Sequence, residues 1–478
     1  MGSPGAVSDV IVIGGGPAGS TIATLLAKQG HDITLFERDR FPREHVGESL
    51  LPYCYDIFDD LGVLDTMQRT MVRKPGVRFV DVDGIRHTTW CFSAVIKDPS
   101  FLSFHVRRDR FDHLLLRNSA RSGVAVHEEI RVRTVDLDRP DDLVSVTVTG
   151  PDGAERKHLA RFLVDASGRD TFMANRMGWK KKNPDLDRTA LGRHWINVPL
   201  TGGLEEGLIQ IVYLGGEKKG WIWIIPVGAN RASIGVVVGS EYYRAQRQKL
   251  IDAGSEDWKL DLYMHELHTS PYVRASLAPA TPVNPLMVNG DYSYKSETKF
   301  GERFAMVGDS HCFIDPIFSS GVYLSMNTSR YVFRALDPWL KGETDEPKAD
   351  LAEAYEHIEG AYDLVEKAIK LFYHPAAINF AQAGSAADLI HQRHENALAS
   401  IHFVLAGDFF DSYERYSKAI DLLADPDLFA KYKALVIDRE GLVDQSTCHN
   451  EVEAFSDFLR SEVEPAPADV DLFAAAEA

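Results

Sequence analysis

Residues 9–19 have the sequence Asp-Val-Ile-Val-Ile-Gly-Gly-Gly-Pro-Ala-Gly, and this stretch decides the fold. The apolar residues Val10 to Ile13 precede three consecutive glycines, a pattern that predicts a short buried strand ending in a tight turn. Gly14, Gly16 and Gly19 fit the spacing G-x-G-x-x-G. The first glycine permits the turn, the second lets backbone amides approach a pyrophosphate, and the third lets the following helix pack closely. The motif therefore predicts a dinucleotide whose phosphates lie at a helix N-terminus.

The residues after the turn complete a parallel strand–helix–strand unit. Residues 20–29 are rich in alanine and leucine, which predicts a helix with Gly30 at its C-terminal cap. Residues 32–37 predict the second strand, connected in the usual right-handed sense. Glu37 ends that strand eighteen residues after Gly19, where a carboxylate can hold the hydroxyls of an adenosine ribose. The alternative is a tight turn without a ligand, and the motif alone does not distinguish FAD from NAD.

Composition and charge limit the classes of partner. The chain has 478 residues, with 52 basic and 70 acidic side chains and a net charge of -18. This balance argues against nucleic acid and against an anionic membrane surface, because both reward a basic face. The simplest alternative is that the acidity only provides solubility. The N-terminus has no signal-peptide pattern and no apolar run long enough to span a bilayer, so we expect a cytoplasmic protein without stable membrane insertion.

The four cysteines are scattered without C-x-x-C spacing. They are Cys54, Cys91, Cys312 and Cys448. The pattern predicts reduced thiols in a cytosolic compartment, with no disulfide framework and no metal site.

Three downstream segments resemble flavin monooxygenases of the p-hydroxybenzoate hydroxylase type. Residues 105–112, which include Arg108, resemble the arginine-bearing segment of that family. Residues 164–168 resemble its strand and turn leading back into the FAD domain, and Gly308-Asp309 resembles its ribityl-binding turn. Taken singly, Arg108 could be a surface ion-pair partner and Asp309 a helix N-cap. Their occurrence together in the family order implies that the cofactor is FAD.

This resemblance, with the strand and helix patterns, implies a domain organisation. The expected fold class is α/β, with a Rossmann-type FAD-binding domain interleaved with a β-sheet substrate domain, plus a mainly helical C-terminal region. The flavoprotein core is expected over residues 1–349, with FAD-binding segments at about 1–75, 106–185 and 290–349 and substrate-domain segments at about 76–105 and 186–289. Residues 350–478 form the helical region, with amphipathic stretches at 351–372 and 412–436.

Three further segments narrow the resemblance to flavin-dependent halogenases. Residues 221–226 are Trp-Ile-Trp-Ile-Ile-Pro, which fits the family signature W-x-W-x-I-P. Residues 315–321, Asp-Pro-Ile-Phe-Ser-Ser-Gly, resemble the family loop for flavin and halide. Residues 47–52, Gly-Glu-Ser-Leu-Leu-Pro, match the family segment near the isoalloxazine ring. With the glycine turn, these matches extend from Val12 to about Asn327, and the C-terminal third carries no family motif.

The halogenase resemblance implies roles for individual residues. Trp221 and Trp223 would form a wall that keeps the organic substrate away from the flavin, although such a pair is more often core packing. The backbone amides of Ser320 and Gly321 would bind the halide, although this turn could also be an ordinary helix N-cap. Lys74, in the family context K-x-G-x-x-F, would hydrogen-bond hypohalous acid or form a haloamine if its pKa is lowered. Without the resemblance, Lys74 would be expected to be a solvated surface charge.

Phe318 bears on the class of substrate. Halogenases of the tryptophan type carry a glutamate where this chain has Phe318, and that carboxylate is thought to assist the lysine. Its absence argues against free tryptophan, and the apolar residue is typical of the branch that acts on phenols, pyrroles and related rings, often tethered to a carrier protein. Electron-rich rings need less acid assistance because they react readily with an electrophilic halogen.

The sequence therefore predicts a flavin-dependent halogenase that uses reduced FAD, oxygen and chloride or bromide in natural-product biosynthesis. Only one dinucleotide motif is present, so a separate flavin reductase is the expected source of reduced FAD. One alternative is a flavin monooxygenase or geranylgeranyl-reductase-like enzyme without halide chemistry, and another is a flavin-binding scaffold without turnover. The candidate catalytic residues are Lys74, Trp221 and Trp223, the halide residues are Ser320 and Gly321, and the cofactor residues are Gly14, Gly16, Pro17, Ala18, Gly19, Glu37, Arg38, Glu48, Ser49, Arg108, Asp309, Gly321 and Val322.

Overall fold

The computed structural model describes residues 7–228, 230–290, 293–373, 379–381, 397–424 and 448. Twelve α-helices lie in these ranges: α1 Pro17–Lys28, α2 Tyr55–Leu61, α3 Leu64–Thr70, α4 Arg108–Arg121, α5 Phe172–Arg176, α6 Ser240–Asp252, α7 Trp258–Thr269, α8 Pro271–Leu277, α9 Ser320–Leu340, α10 Lys348–Tyr373, α11 Ala397–Ala406 and α12 Tyr413–Ala424. No helix within these ranges is both long enough and apolar enough to cross a membrane.

The described strands number twenty: β1 Ser8–Ile13, β2 Ile33–Phe36, β3 Val72–Lys74, β4 Gly76–Val80, β5 His87–Cys91, β6 Ser103–His105, β7 Ala125–His127, β8 Arg131–Asp136, β9 Val144–Thr149, β10 Glu155–Asp165, β11 Lys180–Lys182, β12 Arg188–Ile196, β13 Ile209–Leu214, β14 Gly220–Gly228, β15 Arg231–Gly239, β16 Thr281–Pro282, β17 Met287–Gly290, β18 Tyr294–Ser296, β19 Phe304–Met306 and β20 Cys312–Phe313. They form sheets of seven, eight, three and two strands.

The seven-stranded sheet contains the glycine turn. Its order is β7-β2-β1-β10-β9-β8, with β19 beside β10. β7, β2, β1, β10 and β19 are parallel, whereas β8 and β9 are antiparallel additions. Because the carboxyl ends of parallel strands meet at one edge, the residues after β1, β2, β10 and β19 lie together there, which is where α/β sheets bind nucleotides. The helices α1, α4 and α9 pack on this sheet in one continuous apolar core.

The eight-stranded sheet forms the second layer of the molecule. Its order is β16-β12-β15-β14-β13-β4-β5, with β17 beside β12. One face packs on α7 and α8 through a second apolar core, in which the Trp195 indole N–H donates to the Tyr263 hydroxyl at 2.9 Å. The other face, which includes Trp221 and Trp223 on β14, belongs to the core shared with α1, α9 and α10. This second face is therefore turned toward the nucleotide edge of the first sheet.

The predicted α/β fold class is confirmed, and local elements match closely. The helix expected at residues 20–29 begins earlier, at Pro17, and Gly30 follows it with a left-handed φ of 92°. The helix expected near Gly321 is α9. Three helices, α6 to α8, interrupt a segment that the sequence assigned to β-sheet. Within the predicted C-terminal region, α12 covers the first part of the 412–436 stretch, and residues 425–436 lie outside the described residues.

The prediction that all four cysteines are reduced is wrong for two of them. Cys91, at the end of β5, forms a disulfide with Cys448 across 357 positions of sequence. Cys54 and Cys312 are free and buried. The physical reason for the error is tertiary, because residue spacing cannot show that the end of β5 lies against a residue so distant in the chain.

Candidate functional site

The glycine turn has the geometry that a phosphate site needs. Gly14 has a φ of 100°, and a Cβ there would lie 2.4 Å from the carbonyl oxygen of Ala166. A Cβ on Gly19 would lie 1.9 Å from the carbonyl oxygen of Gly14. α1 starts at Pro17 without a side-chain cap from any described residue and without an acidic residue in its first turn. Its first amides therefore remain available to an anion at the positive end of the helix.

Glu37 lies directly beside this turn, as its position at the end of β2 predicted. Its side chain is buried, and its carboxylate accepts hydrogen bonds from the Gly15 amide at 2.7 Å and from the Asp39 amide at 2.8 Å. The neighbouring Arg38 forms an ion pair with Asp170. Glu37, Arg38 and Asp170 all line the cavity described below. The carboxylate is thus held in place by two backbone donors, at the position expected for the ribose.

Arg108 and Asp112 form a buried ion pair on the first turn of α4. Arg108 donates to the two carboxylate oxygens of Asp112 at 2.6 and 2.8 Å and to the carbonyl of Val46 at 2.6 Å. Burial alone would raise the pKa of Asp112, but Arg108 beside it holds that pKa below its usual range. Arg108 lines the cavity, and its contact with Val46 fixes the segment that leads to Glu48 and Ser49.

Asp309 lies where the sequence placed the ribityl turn, in a single 3-10 turn after β19. Gly308 has a φ of 63°, and a Cβ there would lie 2.7 Å from the Ser325 hydroxyl. That hydroxyl is 3.4 Å from a carboxylate oxygen of Asp309. Burial raises the pKa of Asp309 to about 6, and the charges of Arg169 and Arg108 oppose this rise. A polyol hydroxyl would find here a buried carboxylate able to accept or share a proton.

One cavity of about 620 Å³ joins these groups, a size within the usual range for cofactor sites of roughly 300–1,000 Å³. The predicted site residues that line it are Gly14, Gly16, Pro17, Ala18, Glu37, Arg38, Glu48, Ser49, Arg108, Trp221, Trp223, Asp309, Gly321 and Val322. Gly19, Lys74 and Ser320 are not part of its lining. The glycine turn, the Glu37 carboxylate and the Asp309 turn therefore line one extended space of the kind that a dinucleotide such as FAD needs.

The two tryptophans of β14 form one side of the cavity. Their ring centroids are 5.9 Å apart, and both side chains are largely buried. The Trp223 ring lies against Gly192 and Gly235, because a Cβ on either would come within 2.4 Å of it. The Trp221 indole N–H donates to the Tyr373 hydroxyl at 2.8 Å. Two glycines and one tyrosine thus fix the orientation of the pair.

The start of α9 forms another part of the cavity lining. Ser319 precedes the helix with a left-handed φ of 57°, and α9 has no side-chain cap from the described residues and no acidic residue in its first turn. Ser319, Gly321 and Val322 line the cavity. The first amides of α9 are therefore a second uncapped helix N-terminus facing the same space as the tryptophans.

Lys74 is buried, not a solvated surface charge. Its side chain is 1% exposed, and its amine donates to the carbonyl of Leu50 at 2.9 Å and lies 5.2 Å from the Phe92 ring centroid. Burial lowers the pKa of Lys74 to about 7. Leu50 directly follows Ser49, which lines the cavity, so the amine lies next to the segment that borders the cavity. An amine in this state can be neutral, and therefore nucleophilic, at physiological pH.

Comparison with known proteins identifies the family. A family model described as an FAD binding domain matches residues 7–361. The chain is 33% identical over 360 residues to the tryptophan 2-halogenase of Chondromyces crocatus, covering 74% of this chain and 64% of that protein. It is 32% identical over 352 residues to the flavin-dependent halogenase armH1 of Armillaria mellea, covering 72% and 67%. The chain belongs to the flavin-dependent halogenases.

One further relative and two solved structures that resemble the chain carry different names. The chain is 29% identical over 343 residues to the 1H-pyrrole-2-carbonyl-(peptidyl-carrier protein) chlorinase of Pseudomonas fluorescens, covering 67% of this chain and 74% of that protein. The solved structure of the myxobacterial chondrochloren halogenase CndH superimposes with a TM-score of 0.70 at 28% identity, covering 97% and 98%. A flavoprotein/dehydrogenase from Cytophaga hutchinsonii superimposes with a TM-score of 0.74 at 25% identity, covering 88% and 100%.

The structure adds two groups to this candidate site that the sequence did not single out. Arg43 lines the cavity, and its guanidinium nitrogen lies 3.7 Å from the point that a Cβ on Gly16 would occupy. A cation therefore lies beside the glycine turn. Buried His194 bonds to Glu48 through Nε2, while Arg231 contacts its Nδ1 at 2.9 Å. No local sequence pattern pointed to Arg43 or His194, because each of them reaches the site from a separate element.

Phe318, the middle residue of the family loop at 315–321, lies in an aromatic cluster. It is 4% exposed, and its ring centroid lies 6.1 Å from that of Phe372 and 5.9 Å from that of Phe380. A glutamate at this position would place a carboxylate among buried aromatic rings, which is costly unless the carboxylate is paired. The apolar residue is therefore consistent with its surroundings in this member of the family.

Proposed function

We propose that this protein is a reduced-FAD-dependent halogenase that chlorinates or brominates an electron-rich aromatic ring in natural-product biosynthesis. The observation that carries the proposal is that Trp221, Trp223 and the first turn of α9 line the same cavity as the glycine turn. The tryptophan wall, the uncapped helix and the cofactor elements therefore share one space. The domain bounds and the cofactor roles predicted from the sequence belong to this proposal.

Bound reduced FAD supplies, together with molecular oxygen, the oxidising power that converts a halide and a proton into hypohalous acid and water, with FAD as the oxidised product. The chain binds the halide with the amides of Ser320 and Gly321, where the helix offers donors without a cation that would hold the anion too tightly. Trp221 and Trp223 exclude the organic ring from this space, so that the small oxidant leaves while the substrate stays outside.

Lys74 relays the oxidant to the substrate. Its amine is neutral above about pH 7 and can donate to the oxygen of hypohalous acid or take the halogen as a haloamine. When the amine holds hypohalous acid, a ring carbon bonds to the halogen, the oxygen–halogen bond breaks, and the ring proton leaves with the hydroxide as water. When the amine has taken the halogen, an amine proton has already left with that hydroxide as water, the nitrogen–halogen bond breaks, and the ring proton returns to the amine. The buried position of the amine excludes the water that would otherwise compete for the oxidant.

The substrate class that we propose is a phenolic or pyrrole-like ring, either free or attached to a carrier protein. Two observations support it: Phe318 replaces the acid of the tryptophan-type enzymes, and one relative is named as a pyrrolyl carrier-protein chlorinase. Another relative is named as a tryptophan 2-halogenase, so tryptophan belongs in any substrate screen. We further propose that a separate flavin reductase serves the enzyme. The Cys91–Cys448 disulfide argues against the cytosolic compartment that the cysteine spacing predicted, because cytosolic thiols are usually kept reduced.

The test is an incubation with a flavin reductase, NADH, oxygen and chloride or bromide, with phenols, pyrrole-carboxyl groups on a carrier protein, and tryptophan as substrates. Mass spectrometry should find a halogenated phenol or pyrrole. A substrate that is hydroxylated or reduced without any halogenated product would instead identify a monooxygenase or a reductase. Flavin binding without turnover of any substrate would identify a scaffold.

The role of Lys74 has its own test. Lys74→Ala should abolish halogenation while FAD content and oxygen consumption stay near those of the unchanged protein, because the amine acts after the oxidant has formed. The exposed Lys157 of β10 supplies the matched control, since Lys157→Ala should keep full activity. Full halogenation by Lys74→Ala with normal FAD content would show that Lys74 is not catalytic.

A further inference from the structure

The Tyr373 hydroxyl, at the last residue of α10, lies between the two family segments that face the cavity. It accepts a hydrogen bond from the Trp221 indole N–H at 2.8 Å and donates one to a carboxylate oxygen of Asp315 at 3.1 Å. The other carboxylate oxygen of Asp315 accepts from the Ile317 amide at 3.0 Å. A single hydroxyl from the C-terminal helix therefore links the tryptophan wall to the loop that enters α9.

Chemistry fixes the direction of the first hydrogen bond, and the second runs from Tyr373 to Asp315 whenever Asp315 is ionised. An indole N–H can only donate, so the Tyr373 oxygen must accept from it, and the hydroxyl proton is left to point at Asp315. A phenylalanine at position 373 would leave both the Trp221 donor and the Asp315 acceptor without this partner. The Arg188 guanidinium carbon lies 4.3 Å from the centroid of the Tyr373 ring, which holds the ring from the side of β12.

When it is ionised, Asp315 has a negative charge that repels a halide. It stands in the loop that leads directly into the first turn of α9, whose amides bind the halide in the proposed function. The groups that face it are the Tyr373 hydroxyl from α10, the Arg188 charge from β12 and the Ile317 amide of its own loop. Burial raises the pKa of Asp315 to about 7, and these three groups oppose the rise. The loop is therefore more negative above pH 7 than below it.

We propose that Tyr373 is a positioning residue that fixes the Trp221 ring and the loop from Asp315 to Gly321 relative to each other, and thereby sets the halide affinity of the α9 N-terminus. This inference rests on the proposed function, since it concerns the same halide. It assigns a part in the site to the C-terminal helical region, which carries no recognised family motif. Tyr373 itself lies outside the cavity lining and acts through Trp221 and Asp315.

The first experiment titrates bromide into the FAD-loaded protein and follows the flavin absorbance. Tyr373→Phe should keep its FAD and raise the bromide Kd about tenfold, and in turnover it should raise the halide KM more than it lowers kcat. The control is Tyr362→Phe, a buried tyrosine of the same helix whose hydroxyl touches neither Trp221 nor Asp315. An unchanged bromide Kd in Tyr373→Phe with normal FAD content overturns the inference.

The second experiment uses pH and does not depend on the folding of the tyrosine variant. In the unchanged protein the bromide Kd should rise as the pH increases from 6 to 8, because Asp315 ionises in that range. Asp315→Asn keeps an oxygen that accepts from Tyr373 but cannot ionise, so its bromide Kd should stay constant over this range. A pH-independent Kd in the unchanged protein, or an unchanged pH dependence in Asp315→Asn, overturns the inference.

The two levels of the proposal fail in different ways. Halogenated product from the unchanged protein, together with an unaffected Tyr373→Phe, rejects the positioning role and keeps the halogenase. Absence of halogenated product with every substrate and halide rejects the proposed function, and the inference about Tyr373 is rejected with it.

Discussion

Replacing Lys74 by methionine should make the protein more stable while abolishing halogenation. Methionine has a similar length and no charge, so it can fill the buried space that the lysine occupies. Burial lowers the pKa of Lys74 from 10.5 to about 7, which means that the folded protein holds this amine less favourably in its charged form than the unfolded chain does. The stored free energy is a direct consequence of burying an amine away from water.

The magnitude follows from proton linkage. Between about pH 7 and 10.5 the unfolded chain binds a proton at this position and the folded protein does not, so the stability of the unchanged protein rises with pH in this window. The rise is about 1.4 kcal/mol per pH unit. At pH 8 the buried lysine lowers the free energy of unfolding by about 3 kcal/mol. Replacing it with methionine removes this cost but also loses the hydrogen bond to the Leu50 carbonyl, which is worth about 1 kcal/mol. Lys74→Met should therefore gain about 2 kcal/mol at pH 8.

The assay is urea unfolding of the FAD-loaded proteins, followed by tryptophan fluorescence at several pH values between 6 and 10. The difference in free energy of unfolding between Lys74→Met and the unchanged protein should be largest near pH 7 and should vanish toward pH 10. Lys157→Met, an exposed lysine on β10, should show no such trend. A destabilised Lys74→Met, or a stability difference that does not change with pH, would refute the reasoning.

Three other perturbations test separate parts of the structure. Gly19→Ala should lose FAD and cost about 1–3 kcal/mol of stability, because its Cβ would lie 1.9 Å from the Gly14 carbonyl oxygen. The control Gly239→Ala should retain FAD, because the nearest atom to its Cβ would be 3.5 Å away. Equal flavin absorbance in the two variants would contradict this prediction. Arg43→Gln should raise the Kd of FAD about tenfold by calorimetry, since it removes the cation beside the phosphate turn, and an unchanged Kd would exclude that role. Cys448→Ser should lower the stability by about 2–5 kcal/mol without reductant and should make it insensitive to reductant, whereas Cys54→Ser should keep the reductant sensitivity of the unchanged protein. Peptide mapping that finds only free thiols would reject the disulfide.

The sequence predicts best those features whose cause is local. The unit from β1 to β2 depends on a short apolar run, a glycine turn and an alanine-rich helix, and each of these acts over a few residues. The same holds for Asp309, which immediately follows the strand that places it. The roles assigned to these residues stay predictions, but their meeting in one cavity follows from the parallel order of β1, β2, β10 and β19.

The features that the sequence did not predict all depend on contacts between distant elements. Arg43 reaches the phosphate turn because Asp112 of α4 holds its guanidinium at 2.9 Å. Tyr373 reaches Trp221 across 152 positions of sequence, and Cys448 reaches Cys91 across 357. A buried lysine is likewise invisible to composition, because burial is decided by the strands and helices packed around it.

The bond between Cys91 and Cys448 also has a topological consequence. It closes residues 91–448 into a covalent ring that contains β12 to β15, α9 and α10, together with the tryptophan segment 221–226 and the loop 315–321. A protease that cuts one exposed loop inside this ring opens the circle but releases no fragment, since both new ends remain attached through the sulfur bridge. The protein can therefore be nicked once and still hold Trp221, Trp223, the first turn of α9 and α10 on a single molecule, until a reductant separates the pieces.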